Sequence, residues 1–371
     1  MRNIAIIGAG SSGLFIARQL AEQPQIKVYV FERAKNVGSK LRASGGGKAN
    51  LFNYNILPEH YNQNKFIDNL LHHFTPEMLQ KEFERFGLQI IADNEGRAYP
   101  CTEFSLTVVD TLRNNTASNI HWQTDYEVKR LFQAERKWHI NDFPVAFDVV
   151  IIATGSPANL IAQNRMHYNS FLDPLHLKMQ PLMPSLVGFK IAEYPKQLAG
   201  CRVKVRATLW QDQNAIYSER GEVTFKEDGL SGIVVMNLSA HYNRLTTKQN
   251  CWLSLDLMPQ QPDYDTHSHW EKFHSVQGIL HPKLATLYEK KSFDIHNLKL
   301  SISDTYDITS AQVCHGGIDL SEVNPDFSLK RFPELYATGE VLDVDGVCGG
   351  YNLFFAFASG WMVAREILVA R

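Results

Sequence analysis

Two glycine-rich turns stand at opposite ends of this sequence, and both have the residue types that let a backbone hold a ligand. Near the N-terminus, GAGSSG places Gly8, Gly10 and Gly13 between the apolar run NIAII and a helical pattern that begins at Ser11 and Ser12. The first glycine permits a tight turn, the second lets backbone approach a pyrophosphate, and the third lets helix and strand pack closely. The free N–H groups and positive dipole end of the helix attract phosphate. Glu32, followed by Arg33, ends the next strand-like run, KVYVF, where a carboxylate suits the hydroxyls of an adenosine ribose. That combination points to FAD or NAD rather than NADP.

The second turn reads GEVLDVDGVCGGYN and leads into LFFAFASGWMVAREIL. Gly339 closes a short strand from Leu335 to Thr338; Glu340, Asp343 and Asp345 follow; Gly349, Gly350, Tyr351 and Asn352 precede an apolar helix. A helix end of this kind stabilises negative charge, such as that on a reduced flavin near N1 and O2. A plain structural turn with solvated acids is an alternative reading, and a divalent cation held by the acids is a third.

These turns need elements to position them. Asn3 to Ile7, a helix over Ser11 to Glu22 and a strand over Lys27 to Phe31 make a βαβ unit and therefore a parallel sheet. The run FDVVIIA, ending at Ala153, Thr154 and Gly155, reads as a central parallel strand. Residues 38–53 read as a loop rich in Gly, Ser and Asn. Thr75-Pro76-Glu77 is an N-cap signature for a helix through Phe86, closed by Gly87. Ile120 to Ile140 alternates as an antiparallel meander. From about Pro181 short alternating strands take over, with a polar, His-rich helical part at about 260–292. The expected organisation is a nucleotide-binding domain split into 1–180 and 306–371, with an inserted domain at 181–305.

The bulk numbers bound the class. The chain has 371 residues, 44% of them hydrophobic and 20% charged, with a net charge of -2. No global basic field points to nucleic acid or an anionic membrane. No apolar run approaches a membrane span, and no signal peptide precedes the first turn. The five cysteines are scattered and never in CxxC spacing, which argues for reduced thiols. A cytoplasmic protein is expected.

The series GAGSSG, SGGGKAN, GRAYP, IIATG, FKEDGLSG and GEVLDVDGVCGGYNLFFAFASG resembles, over essentially the whole chain, the aminoacetone oxidase-like or 3-dehydro-bile-acid reductase-like family of FAD-dependent oxidoreductases. The resemblance implies an α/β fold: a discontinuous Rossmann-like FAD-binding domain of glutathione-reductase type, with an inserted β-barrel and a small helical domain. It implies that Gly8, Gly10, Ser11, Ser12 and Gly13 hold the pyrophosphate of FAD, and Glu32 with Arg33 the adenosine ribose. Lys40, Ser44, Gly45, Gly46, Gly47, Lys48 and Asn50 would lie along the pyrophosphate and flavin ring. Val128 would meet adenine through its backbone; Ala153, Thr154 and Gly155 would pass close to the cofactor. Gly339, Glu340 and Asp343 would serve the ribityl side, and Gly349, Gly350, Tyr351 and Asn352 the flavin ring. The chain departs from the family pattern where SGGGRCN becomes SGGGKAN, at Lys48 and Ala49, and where DGPTGGYN becomes DGVCGGYN, at Val347 and Cys348.

Other constellations carry less. His267, Ser268, His269 and His274, with Asp263 and Asp265, read as a solvated helix start rather than a metal site, because nothing completes a tetrahedral set. Cys314 and His315 are adjacent on a strand, so their side chains diverge. Tyr351, Tyr306 and His315 are candidate proton donors without geometry to choose among them, and no catalytic residue is assigned. The reading is a FAD oxidoreductase passing a hydride to or from a small-molecule substrate, with NAD(P)H or a redox protein as candidate electron partner and no metal. A FAD-binding protein of RNA modification and a non-catalytic flavin sensor are the alternatives.

Overall fold

Val149–Ile152 is buried along its whole length, as a near-continuous apolar run demands of a strand covered on both faces. It lies inside a six-stranded sheet ordered Ser328–Leu329, Phe332–Ala337, Val149–Ile152, Arg2–Ile7, Ile26–Phe31, Ile120–Gln123. Arg2–Ile7 pairs in parallel with both neighbours, Ile4 opposite Val28 on one side and Val149 on the other. Phe332–Ala337 continues the parallel set, Leu335 opposite Val150. The computed structural model describes residues 1–113, 118–159, 168–193 and 195–369.

The chain divides into two units. The first is built mainly from Met1–Pro157 and Gly316–Arg371 and takes in 168–182; the second is built mainly from Met183–His315. In the first, the helix Ser11–Gln19 packs beside the C-terminal helix Tyr351–Val369. Phe15 meets Phe83, Phe86 and Phe357 at ring-centroid distances of 5.7, 5.7 and 5.3 Å. Such pairs contribute roughly 0.5–1.5 kcal/mol each beyond the area they bury. Thr75 caps Pro76–Arg85 by accepting from Met78 N–H at 3.4 Å, and Gly87 follows at φ +89°.

The second unit holds a closed six-stranded barrel, ordered Phe189–Ile191, Gly229–Ser231, Asn214–Phe225, Arg202–Gln211, Cys251–Asp256, Leu298–Thr305. Gly229 sits where a Cβ would come within 1.9 Å of Phe189 O, so the barrel closes over a missing side chain.

Several sequence expectations need correction. The segment at 38–53 is not all loop: it holds a short helix, Ser39–Ala43, a 3-10 turn, Ser44–Gly47, and the strand Phe52–Asn53. Ile120–Gln123 does not join a meander; it adds to the main sheet in parallel, Val28 opposite Ile120, and only Leu131–Ala134 and Lys137–Ile140 form a hairpin. The helix Ile233–Asn243 went unread, because its β-branched start and burial on nearly all sides leave no amphipathic period. The first helix stops at Gln19, before Glu22 takes up φ +64°. One apolar stretch does have spanning length: Tyr351–Val369 is long and apolar enough to cross a membrane. Phe354, Phe355, Phe357 and Val363 along it are buried in the core, which explains its composition.

Candidate functional site

The N-terminal turn is held by backbone against backbone. Gly8 has φ +105°, and a Cβ there would lie 2.4 Å from Ala153 O. A Cβ on Gly13 would lie 2.0 Å from Gly8 O, which is the close helix–turn approach that only glycine allows. Gly10 differs: a Cβ would meet nothing within 4 Å, so this face of the turn is open. Gly10 is also the N-cap of Ser11–Gln19, with no side chain capping it and no acid in the first turn. A free, uncapped helix start facing open space fits a bound phosphate group.

Glu32 anchors this turn to the second strand. Its Oε2 accepts Ala9 N–H and its Oε1 accepts Ala34 N–H, both at 2.9 Å. A carboxylate has about four lone-pair sites, so both oxygens keep capacity for ribose hydroxyls. Arg33 beside it is exposed. Tyr126 N–H donates to Glu32 O at 2.9 Å, bringing the chain to Val128, whose own N–H and C=O make no backbone hydrogen bond among the described residues.

The C-terminal turn meets the first one directly. Thr338 N–H donates to Ile152 O at 2.9 Å, and a Cβ on Gly339 would lie 3.0 Å from Ser12 Oγ. Glu340 accepts from Lys40 Nζ at 2.8 Å and from Ser156 Oγ at 2.7 Å; Lys40 Nζ also reaches Ser156 Oγ at 3.1 Å. Gly155 stands in front of this cluster: the nearest atom to a Cβ there would be Glu340 Oε2 at 4.0 Å. The hydroxyls of Thr154 and Thr338 are buried without a hydrogen-bond partner among the described residues. Asp343, by contrast, is turned to the protein. Its carboxylate accepts from Asn62, Gln63 and Gly316 N–H at 3.2, 3.1 and 3.0 Å. The acids of this loop therefore do not converge, and among the described residues no group of three His, Cys, Asp or Glu side chains has the arrangement of a metal site.

The loop SGGGKAN and the turn GVCGGYN come together as well. Asn53 Nδ2 donates to Gly349 O at 3.3 Å. The Asn50 amide, oriented to suit its neighbours, donates to Phe52 O at 3.1 Å and accepts Gly350 N–H at 3.2 Å. Asn352 clamps Gly346, accepting its N–H at 2.8 Å and donating to its O at 2.9 Å. Tyr61 OH donates to Tyr351 O at 2.8 Å, and the His60 ring lies 4.3 Å from that of Tyr351. Burial pushes the Tyr61 hydroxyl well above its usual value and lowers that of His60. Gly45, Gly46 and Gly47 all have positive φ, and Gly46 and Gly47 face open space. Ser44 Oγ is spent on Leu41 O at 2.7 Å, and Lys48 pairs with Glu103 at 3.1 Å on the surface. Cys348 is half-buried and not in a disulfide.

Ser156, Asn53, His60 and Tyr61 were missed by sequence reasoning. Ser156 was findable, as the residue next after Ala-Thr-Gly; the other three carry no local signal. The remaining candidates disperse. Tyr306 OH donates to Asp228, and burial together with Asp228 raises its pKa, which disfavours proton donation there. His315 lies on the strand Val313–Ile318. His267 pairs with Glu271 at 3.3 Å, His269 Nδ1 with Tyr264 OH at 2.6 Å, and Asp265 caps their helix.

Comparison with known proteins bears on the family and the fold. A family model described as the HI0933-like protein Rossmann domain matches residues 2–366. The chain is 27% identical to a 3-dehydro-bile acid delta(4,6)-reductase of Clostridium scindens, covering 98% of each chain. It is 25% identical to a ribosomal RNA dihydrouridine synthase of Escherichia coli, covering 99% of this chain and 98% of that one. Among solved structures, a 3-ketosteroid delta1-dehydrogenase from Sterolibacterium denitrificans shares the fold, with a TM-score of 0.50, 10% identity and full coverage of both chains.

Proposed function

Because the chain belongs to the HI0933-like FAD-binding Rossmann family, we propose that this FAD-dependent oxidoreductase acts on a small organic substrate whose reacting double bond is conjugated to a carbonyl. Bound FAD supplies hydride transfer at N5. The chain's own residues bind and orient. Gly8, Gly10, Ser11, Ser12 and Gly13 present N–H groups to the pyrophosphate, and Glu32 takes the adenosine ribose while Val128 offers its backbone to adenine. Lys40, Ser156 and Glu340 form a charged, hydrogen-bonding wall for the ribityl chain. Asn50 and Asn53 hold the Gly349-Gly350 backbone in place for the ring.

The observation that carries this reading is the meeting of the two glycine turns around open glycines: Gly339 against Ser12, with Gly10 and Gly155 left free. The substrate class is supported by the two relatives' names, which both denote reduction of a ring double bond. A single dinucleotide fingerprint leaves NAD(P)H to dock transiently as reductant, with a redox protein as the other source of electrons. Five scattered cysteines, none in a disulfide among the described residues, favour the reducing cytoplasm.

Anaerobic titration of the purified, yellow protein with NADH and NADPH, following flavin bleaching, tests the reductant. Subsequent reoxidation by a panel of enones tests the substrate class. Reoxidation by oxygen alone, with every enone inert, would sink the substrate proposal, and a protein that binds no FAD would sink the whole reading. The Escherichia coli relative's name favours a second reading, action on a uracil ring in RNA. A salt-dependent mobility shift with ribosomal RNA, absent with a neutral polymer, would support it; the net charge of -2 weighs against it.

A further inference from the structure

We infer that a cavity at the carboxyl ends of Val149–Ile152 and Phe332–Ala337 is a subsite for an uncharged, largely apolar substrate and rejects carboxylates, a proposal that rests on the function proposed above. The cavity has a volume of about 300 Å³ and lies within the first unit. Ligands of open α/β sheets bind outside the carboxyl ends of strands, and known pockets begin at about this size. Gly155 and Glu340 form one end, where the cofactor is proposed to pass.

The other end belongs to a segment that no sequence motif singled out. Leu172, Leu177, Met179 and Leu182 give it apolar walls. Met179 and Leu182 remain 44% and 37% exposed, a cost in water that a bound apolar ligand would remove. Tyr168 OH donates to Gly155 O, tying this segment to the cofactor end.

Charge decides the ligand class. Among the described residues, Asp173, His176 and Glu340 are the titratable groups of the lining besides Tyr168, and no Lys or Arg lines it. Three cations among the described residues around it are paired: Lys40 with Glu340 at 2.8 Å, Lys178 with Asp319 at 3.0 Å, and Arg331 with Glu322 at 3.5 Å. Arg331 also donates to Leu175 O and His176 O, at 2.9 and 2.6 Å, fixing the rim. A carboxylate entering here meets the Asp173 carboxylate and, among the described residues, no Lys or Arg of the lining to pair with, which costs affinity.

The test uses 3-methyl-2-cyclohexen-1-one and its matched acid, 3-oxo-1-cyclohexene-1-carboxylate, with binding to the FAD-loaded protein followed by calorimetry. The neutral ketone should bind at least about tenfold tighter than the acid, and Asp173→Lys should narrow that gap. Leu182→Trp, at an exposed wall position, should abolish ketone binding while flavin content and circular dichroism stay unchanged. Equal binding of both probes, binding of neither, or ketone affinity that survives Leu182→Trp overturns the subsite. A colourless preparation that still discriminates the probes sinks the flavin reading and leaves the subsite standing.

Discussion

The two glycine turns reach the same place by different physical means. At the N-terminal turn the constraint is backbone on backbone: Gly8 against Ala153 O and Gly13 against Gly8 O. At the C-terminal turn much of it is side chain on backbone: Gly346 faces the Tyr61 ring and the Tyr351 Cβ, Gly349 faces the Tyr351 ring, and Gly350 faces Asn50 as well as Phe52. The first geometry is intrinsic to a strand–turn–helix, so its glycine spacing is a general signature. The second depends on partners supplied from residues 50–61 and cannot be read from the turn alone.

The largest expected effect tests the first half of that contrast. Gly13→Ala forces a Cβ to 2.0 Å from a carbonyl oxygen that cannot move without opening the turn. The cost should be about 3 kcal/mol or more, the upper range for overpacking, and little soluble protein should be recovered. Gly10→Ala is the control within the same motif. Gly10 has φ -81° and open space around it, so the apoprotein should keep its melting temperature while FAD affinity drops. If Gly10→Ala unfolds the protein, or leaves FAD binding untouched, the division into packing and ligand-facing glycines is wrong.

Next comes Gly350→Ala. Its φ of +96° and the Phe52 backbone 2.7 Å from a Cβ should together cost about 2–3 kcal/mol. Gly346→Ala meets side-chain atoms only, the Tyr61 ring at 3.0 Å and the Tyr351 Cβ at 3.1 Å, which can give by a few tenths of an ångström, and it should cost roughly half as much. Urea unfolding of the two apoproteins measures the ranking. Equal losses would mean that the side-chain partners are as rigid as backbone.

What was legible in the sequence follows the same line. The run FDVVIIA became a strand because burial on both faces writes itself as continuous apolar residues, NIAII and KVYVF did so as largely buried apolar and β-branched runs, and Thr75-Pro76 became a cap because capping is local. The helix Ile233–Asn243 was not legible, since a helix buried on nearly all sides loses its period. Nor was the conformation of Gly45 and Gly46, which turn left-handed inside a segment that composition marks as loop. At the site, Glu32, Lys40 and Glu340 were each singled out. That Lys40 and Glu340 bond each other with Ser156 between them is a contact across 300 positions, and no local pattern encodes it.

That ion pair gives a smaller effect. Lys40 and Glu340 are 33% and 18% exposed, so solvent screening limits their contribution to stability. Lys40→Met should cost the apoprotein only about 0.5–1 kcal/mol. If Lys40 lies along the proposed FAD site, it should weaken FAD binding more, by about tenfold, because an ammonium beside a phosphate-bearing ligand is lost. Fluorescence titration of FAD against the apoprotein separates the two. A variant with reduced stability and unchanged FAD affinity would make the pair a structural strut rather than part of the cofactor wall.

The smallest effect belongs to His60, which has no counterpart at the N-terminal turn. Burial lowers its pKa below the ordinary value of 6.5, with Glu59 pulling the other way. Its Nδ1 accepts Leu57 N–H at 3.1 Å, which holds the proton on Nε2 in the neutral ring. The sign follows from proton counting. As pH falls through about 6.5 the unfolded chain takes up a proton at His60 before the folded chain does, so the folded state loses stability. The contribution is complete above that pH and lost progressively below it. The apoprotein's melting temperature should therefore fall between about pH 7 and 5, and His60→Gln, which keeps an acceptor toward Leu57, should flatten that fall. Because the His60 ring packs at a tilt against that of Tyr351 and its carbonyl accepts Val347 N–H, the same acidification should loosen the C-terminal turn first. Amide exchange at Val347 should then rise at low pH in the wild type while exchange at Ala9, held by Glu32, does not. A parallel rise at both would show that the two turns open as one unit and that their different packing has no separate consequence.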